Sequence, residues 1–226
     1  LGLEKQLLNL QRIDDEFYKA FIKEETKKLV RNEFITSGIY DLPIIKKQEI
    51  DLNKVKLMSY SNTKYQDNRN KLKTIHFFIH DYRFEYLYSN PMFVAEKLKQ
   101  YYCLLSPDFS LYTDMPLLLQ MYNTFKNRWC GAYWQSLGLK VIPTISWSEE
   151  RSFDFCFDGI EKGSVVAIST HGNNKSKEKF LKGYNKMLEK IEPSAIICYG
   201  KPFSEMTKDN LIVFPYKHCE GKEIRL

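Results

Sequence analysis

The pattern that decides the fold occupies residues 164–200, which read SVVAISTHGNNKSKEKFLKGYNKMLEKIEPSAIICYG. Two apolar runs, VVAIS and AIIC, flank a polar turn and a segment in which apolar residues recur at helical spacing. Both runs are continuously hydrophobic and do not alternate with polar residues, which is typical of strands that helices cover on both faces. This unit therefore predicts a parallel β-sheet with a crossover helix.

The same order of strand and helix recurs through most of the chain. Further strand-like runs lie at 42–45, 54–60, 74–81, 103–109, 139–147 and 211–216, so the count reaches eight. We therefore expect an α/β protein with a largely parallel sheet, built as a compact (β/α)-barrel-like single domain. An open doubly wound sheet is the alternative.

Chain length and the first apolar pattern predict the domain organisation. With 226 residues the chain is long enough for one sizeable core. Residues 3–31 carry apolar side chains mostly three and four positions apart, which predicts an amphipathic helix or helix pair. We expect residues 1–34 to form an N-terminal helical segment packed on the main domain, and residues 35–226 to form the α/β domain.

Composition excludes several classes of protein. Hydrophobic residues make up 43% and charged residues 27% of the chain, and no apolar run is long enough to cross a membrane. The first residues lack the features of a secretory signal, and five scattered cysteines suit reduced thiols better than a disulfide framework. We therefore expect a cytoplasmic protein without a membrane partner. The cysteines and histidines lack zinc-site spacing, and the oligomeric state stays open.

The charge balance permits an anionic partner without requiring one. The chain has 34 basic and 28 acidic residues, a net charge of +6. Aromatic residues reach 15%, and their rings serve either a core or stacking on bases and sugars. Nucleic acid or a nucleotide is therefore a possible partner, and a solvated lysine-rich surface is the alternative. The sequence motifs of dinucleotide-binding, Walker-type, zinc-peptidase and hydrolase-elbow sites are absent.

Polar residues at the predicted strand ends indicate where a site would lie, because ligands of parallel α/β folds bind beyond the carboxyl ends of the strands. Carboxylates there could perform acid–base or nucleophilic chemistry, or hold Mg²⁺. The candidate catalytic residues are Asp108, Asp81 and Asp114. The candidate substrate-binding residues are Arg128, Ser110, Gln120, Asn123, Trp147, Thr170 and Tyr199.

Several of these residues also have structural interpretations. Asp114 precedes Pro116 at a predicted helix start and could cap that helix. Arg128 could clamp a phosphate or carboxylate, or form a buried ion pair with Asp108 or Asp81. Asp108 has no capping role that its spacing would explain. His171 lies in a turn where an anion could bind, although a lone histidine beside a glycine is more often incidental.

Four segments together resemble a known family: IHFFIHDYRFE (75–85), SPDFSLYTDMPLLLQMYNTFKNRW (106–129), GLKVIPTISW (138–147) and FCFDGIEKGSVVAIST (155–170). The chain is similar over residues 35–200 to an uncharacterised domain of unknown function, encoded by bacteriophages and mobile elements of low-GC bacteria. The run PDFS-x-Y-x-D-M-P is the most specific part of the likeness.

The resemblance implies a phage or mobile-element context and little about a reaction. Lys126 departs from the family pattern, whereas Arg128 matches it, and the family has an apolar residue where His171 stands. The matching polar and aromatic positions are Asp81, Asp108, Ser110, Asp114, Gln120, Asn123, Arg128 and Trp147.

Two classes of function follow from the sequence. The first is an enzyme that cleaves an N-glycosidic or phosphodiester bond in nucleic acid or a nucleotide-like substrate, with strand-end carboxylates as its chemical groups. The alternative is a non-catalytic DNA-binding or host-inhibitory phage factor, in which the polar cluster is structural and the lysine-rich residues 54–73 make the contacts. A sugar-directed hydrolase also fits a barrel with paired acids.

Overall fold

The computed structural model describes residues 2–173, 176–206 and 210–216. The chain divides into two compact units, Leu1–Ile35 and Thr36–Leu226. The first unit consists mainly of one helix, α1, over Gly2–Val30. This is the region where the spacing of apolar residues predicts a helix.

The second unit alternates strands and helices. Its strands are β1 (Thr36–Ser37), β2 (Leu42–Pro43), β3 (Leu57–Ser59), β4 (Thr74–His76), β5 (Cys103–Leu105), β6 (Val141–Ile142), β7 (Val165–Ser169), β8 (Ala195–Tyr199) and β9 (Leu211–Phe214). Its helices are α2 (Pro91–Leu98), α3 (Leu117–Ser136) and α4 (Lys177–Ile191), with short 3₁₀ turns between them.

Among the described residues, seven parallel strands follow one another in chain order. Strands β3 to β6 pair as one group and β7 to β9 as another. A parallel bridge between Thr144 and Ala167 joins the two groups, and the Ile145 amide donates to the Ala167 carbonyl at 2.8 Å. The predicted α/β class with a largely parallel sheet is confirmed. Pairing of β9 with β3 is not seen among the described residues, so the closed barrel stays a prediction.

Both faces of the sheet are buried, as the continuous apolar runs predict. Val166 and Ile168 of β7 pack in a core that includes Met187 of α4. Ala167 and Ile197, which point the other way, belong to a second core with apolar residues of β3, β5 and β6. Alternate residues of a strand point to opposite faces, so one run of four apolar residues serves two cores.

The prediction that residues 42–45 form a strand of the parallel sheet is wrong. Leu42–Pro43 forms an antiparallel pair with Thr36–Ser37 and does not join the parallel sheet. The intervening turn contains Gly38 at φ +73° and Asp41 at φ +50°, and such left-handed residues reverse the chain into a hairpin. Pro43 also lacks the amide that a central strand needs.

The four described cysteines are free and buried, and Cys219 lies outside the described residues. Among the described helices, none is both long enough and apolar enough to span a membrane.

Candidate active site

A pocket of about 350 Å³ lies beyond the carboxyl ends of β5, β6 and β7, beside the first turn of α4. This is the end of the sheet where the sequence predicts a site. The side chains around it are mainly hydroxyls, amides and aromatic rings. The lining residues are Asp108, Ser110, Leu111, Tyr112, Thr113, Ile145, Ser146, Trp147, Ser148, Ser169, His171, Gly172, Asn173, Ser176, Lys179 and Phe180.

Asp108 is the carboxylate in the pocket wall, three residues beyond the end of β5. Its side chain is packed deeply among protein atoms but keeps part of its surface open to the pocket. Burial raises the pKa of Asp108 to about 7, a hydrogen bond with Ser146 opposes this shift, and the nearby charge of Asp81 adds to it. A carboxyl group in this state can give or take a proton near neutral pH.

Asp81 lies behind the pocket wall and is held by Ser110. The Ser110 amide donates to one Asp81 carboxylate oxygen at 2.9 Å, and the Ser110 hydroxyl donates to the other at 2.7 Å. The Ser110 carbonyl in turn accepts a hydrogen bond from the Asn123 side chain at 2.7 Å. The structure therefore brings Asp81, Ser110 and Asp108 together, with Ser110 linking Asp81 to the pocket.

Gln120 fixes the loop that carries these residues. Its buried amide group donates to the Tyr112 and Met115 carbonyls, both at 2.9 Å. Its oxygen accepts from the Ser148 hydroxyl at 2.5 Å. Gln120 and Asn123 thus hold the residues that line the pocket and do not line it themselves.

Arg128 lies away from the pocket, in the protein interior, and is only 2% exposed. Its guanidinium donates to the carbonyls of Asp158 at 2.8 Å and Cys156 at 2.6 Å, and to that of Thr144 at 3.2 Å. It also donates to the Asn127 side chain at 2.6 Å. Burial lowers the pKa of Arg128 to about 10. The guanidinium is occupied by these contacts and does not line the pocket, so we do not include Arg128 in the site.

Trp147 forms one side of the pocket. Its ring lies 4.9 Å from the Phe180 ring, centroid to centroid, and its indole nitrogen donates to the Phe180 carbonyl at 3.2 Å. The absence of a side chain at Gly183 leaves room for the indole, because an ideal Cβ there would lie 2.2 Å from Trp147 atoms. Helix α4 thereby fixes the position of an aromatic wall at the predicted substrate site.

Three other sequence candidates lie outside the pocket lining. Thr170 and Tyr199 are buried, and the Thr170 hydroxyl donates to the Tyr199 carbonyl at 3.4 Å. The Tyr199 ring stacks on Phe78 at 4.9 Å. Asp114 is exposed, and α3 begins after Pro116 without a side-chain cap, so the capping interpretation of Asp114 is also not seen.

Some pocket residues were not among the sequence candidates. Ser169 ends β7 and Ser146 lies four residues beyond β6, so the rule that selected Asp108 would also select them. Lys179 comes from inside α4, and nothing in its spacing distinguishes it from the other lysines of that helix. His171 stacks on Tyr216 with ring centroids 4.3 Å apart at the pocket edge, where its turn position would place it.

The site offers few groups for a metal ion. Within residues 2–173, 176–206 and 210–216, no cluster of three or more His, Cys, Asp or Glu side chains could hold a metal. Asp108 and Asp81 could supply at most two carboxylates, which suits Mg²⁺ only together with substrate oxygens. The possible use of Mg²⁺ stays a prediction.

Comparison with known proteins indicates the lineage of this chain. It is similar to the "Gene 1 protein" of Mycobacterium phage L5, with 40% identity over 176 residues that cover 76% of each chain. It is also similar to the "Gene 1 protein" of Mycobacterium phage D29, with 43% identity over 130 residues, or 56% of this chain and 48% of that protein. No solved structure matches the chain.

The sequence profile of one family matches residues 34–217, which is most of the second unit. The predicted membership of an uncharacterised family with phage-encoded members is therefore confirmed. The chain belongs to the family described as Domain of unknown function (DUF4417).

Proposed function

We propose that the protein is a hydrolase that cleaves the N-glycosidic bond of a nucleotide unit, with Asp108 as general acid. The observation that carries this proposal is the Asp108 carboxyl group, which faces the pocket with a pKa of about 7. At neutral pH a large fraction of such groups is protonated, whereas an ordinary aspartate is not. Departure of a nucleobase needs a proton at its nitrogen, and Asp108 can supply it.

The size and lining of the pocket support a substrate of this class. A volume of about 350 Å³ is at the lower end of small-molecule sites and suits one nucleotide unit. Trp147 and Tyr112 offer rings for stacking on a base. Lys179 offers a positive charge for a phosphate, while the serine hydroxyls can bind sugar hydroxyls.

The chemistry balances with one acid and one water. Protonated Asp108 donates its proton to the base nitrogen as the bond between this nitrogen and the sugar carbon breaks. Water then attacks that sugar carbon and gives a proton to the Asp108 carboxylate, which restores the acid. Asp81 is a positioning residue, because its charge favours the protonated form of Asp108 without lining the pocket.

The test measures release of free base by chromatography. Substrates are ribo- and deoxyribonucleotides and single- and double-stranded DNA and RNA, each with and without Mg²⁺, and alkali treatment reveals abasic sites in the polymers. We expect base release by the wild type, and a loss of about 100-fold or more in Asp108→Asn. Asp154→Asn, which makes the same change at an exposed aspartate outside the pocket lining, should keep full activity.

Two results would contradict the proposal. One is the absence of base release from every substrate class, and the other is unchanged activity in Asp108→Asn. Cleavage of the polymers at phosphodiester bonds without base release would instead indicate a phosphodiesterase, the other reaction that the sequence analysis allows. Nucleic-acid binding without any turnover would favour the non-catalytic binding factor.

A further inference from the structure

Exposed aromatic side chains cluster beyond the carboxyl ends of β3 and β4 with the exposed Arg83 and the half-buried Lys97. We call this cluster the aromatic–basic surface, and define it as Tyr65, Tyr82, Arg83, Phe93 and Lys97. Tyr82 is 74% exposed, Phe93 59% and Tyr65 56%. Single exposed rings are ordinary on protein surfaces, but a group of them interleaved with cations resembles a platform for stacked bases.

Direct contacts join one half of this surface. The Tyr65 and Phe93 rings meet edge to face with centroids 5.4 Å apart. The Lys97 ammonium lies 4.6 Å from the Tyr60 ring centroid and 5.8 Å from that of Tyr65. The Tyr60 ring is buried, whereas the Tyr65 ring is 56% exposed. Lys97 therefore places a positive charge beside one exposed ring, where a phosphate and its base would both find partners.

The other half lies around Tyr82 and Arg83. The Arg83 guanidinium lies 5.7 Å from the centroid of the Tyr82 ring, and it donates to the Ser61 hydroxyl at 3.4 Å. Ser61 belongs to the same 3₁₀ turn as Tyr60, whose hydroxyl is hydrogen-bonded to that of Tyr86. The two halves of the surface therefore share the turn that follows β3.

The acidic groups of this region are already engaged. Glu85 accepts a hydrogen bond from Lys126 at 2.6 Å, and Glu96 accepts one from Lys99 at 2.5 Å. The Asp67 carboxylate receives hydrogen bonds from the amide and side chain of Asn70. These carboxylates pair with other groups. Among the ion pairs of the described residues, none joins Arg83 or Lys97 to a carboxylate.

The surface is connected to the pocket. Asp81 begins the 3₁₀ turn that contains Tyr82 and Arg83, and the same Asp81 accepts both hydrogen bonds from Ser110 in the pocket wall. Tyr82 is therefore the chain neighbour of a residue that is hydrogen-bonded to the pocket wall.

We propose that the aromatic–basic surface binds single-stranded nucleic acid and leads the strand to the Asp108 pocket. This inference rests on the proposed function for the fate of the nucleotide in the pocket, but the binding step is independent of it. Single strands are favoured over duplexes because only unpaired bases expose the faces on which Tyr65, Tyr82 and Phe93 can stack. The phosphates would pair with Lys97 and Arg83.

The test measures binding of a fluorescein-labelled oligonucleotide of about 12 nucleotides by anisotropy, beside a duplex of the same length. We expect the single strand to bind more tightly than the duplex, with an affinity that falls as salt concentration rises. Tyr65→Ala and Phe93→Ala should each weaken binding about tenfold, whereas Tyr65→Phe should bind like the wild type because the ring is kept.

A matched control lies at the opposite end of the sheet. Tyr102 precedes β5 and carries Lys140 over its ring at 5.3 Å, so it reproduces the pairing of a lysine with a tyrosine away from the proposed surface. Tyr102→Ala should leave oligonucleotide binding unchanged. Circular dichroism and sedimentation of every variant report its folding and its oligomeric state.

The outcomes separate this inference from the proposed function. Asp108→Asn should bind the oligonucleotide like the wild type, and Tyr65→Ala should lose activity on the oligonucleotide but keep it on a mononucleotide. Base release from mononucleotides without oligonucleotide binding would overturn the inference and leave the proposed function standing. Equal affinity for duplex and single strand, or a change of oligomeric state in the alanine variants, would also overturn it. Oligonucleotide binding without turnover would support the surface and contradict the proposed function.

Discussion

Ser110 holds Asp81 with two hydrogen bonds, from its amide nitrogen at 2.9 Å and from its hydroxyl at 2.7 Å, while its own side chain lines the pocket that Asp108 faces. The Asp81 carboxylate therefore lies behind the pocket wall, whereas the Asp108 carboxylate is part of that wall. The charge of Asp81 adds to the raised pKa of Asp108, which burial mainly causes, so the two aspartates lie in different environments.

The pH dependence of activity should follow Asp108. If Asp108 is the general acid, kcat/KM should fall as pH rises through about 7, because the carboxyl group loses the proton that it must donate. Ser110→Ala removes one of two donors to Asp81 and should shift this descending limb without abolishing activity. A profile with no descending limb between about pH 6 and pH 8 would contradict the assignment.

The stability of the protein should also report on Asp108. Because the folded pKa is about 7 and the ordinary value 3.8, the folded protein keeps a proton that the unfolded chain releases. Stability from this site is therefore present below about pH 4 and is lost as pH rises to about 7. The free energy of unfolding of Asp108→Asn should therefore increase relative to that of the wild type as pH rises, by at most about 4 kcal/mol.

Urea denaturation at about pH 4 and pH 8 measures this difference. The exposed variant Asp154→Asn should follow the wild type at both values. An Asp108→Asn variant whose stability relative to the wild type is the same at both values would show that Asp108 has no raised pKa.

Arg128 should matter for folding and not for substrate binding. Arg128→Met removes the guanidinium donor from the carbonyls of Asp158 and Cys156, and one of the two side-chain donors from that of Thr144, which should lower the free energy of unfolding by about 3 kcal/mol. Arg128→Lys should not restore it, because an ammonium cannot reach three carbonyls in the geometry of a guanidinium.

The control for this prediction is Arg151→Lys, at an exposed ion pair with Glu149, which should change the unfolding free energy by less than about 1 kcal/mol. If Arg128→Lys unfolds like the wild type but loses substrate affinity, the original prediction of an anion clamp would be restored.

Gly183→Ala should disturb the pocket from helix α4. The added Cβ would lie 2.2 Å from Trp147, so the indole must move. We expect a loss of about 1 to 3 kcal/mol in stability from overpacking, despite the better helix propensity of alanine, together with a raised KM. The exposed neighbour Asn185 provides the control, since Asn185→Ala should be neutral or slightly stabilising. A stabilised Gly183→Ala variant with normal KM would contradict the packing described for Trp147.

Asp114 should be dispensable. It is exposed and does not line the pocket, so Asp114→Asn should change base release by less than about twofold, whereas Asp108→Asn should lower it about 100-fold or more. The two residues lie in the same short segment, and a large loss in Asp114→Asn would show that this loop closes over the substrate.

Much of this architecture could be predicted from local sequence. The runs VVAIS and AIIC are continuously apolar, and burial of both strand faces requires that composition. Asp108 was found because a polar residue after a buried strand must lie at the edge of the sheet where parallel strands end. The hairpin of β1 and β2 was missed, because LPII carries the same apolar signal as a central strand and its pairing depends on the turn before it.

The sequence by itself determined the parallel α/β class, the end of the sheet where a site would form, and Asp108 as a residue at that end. These features follow from hydrophobic periodicity and strand direction, which are local. Only the tertiary structure decided that Arg128 binds carbonyls about 30 residues away, that Asp81 is hydrogen-bonded to Ser110, and that Lys179 reaches the pocket from a helix. Such contacts depend on which distant segments pack together, and no local spacing encodes them.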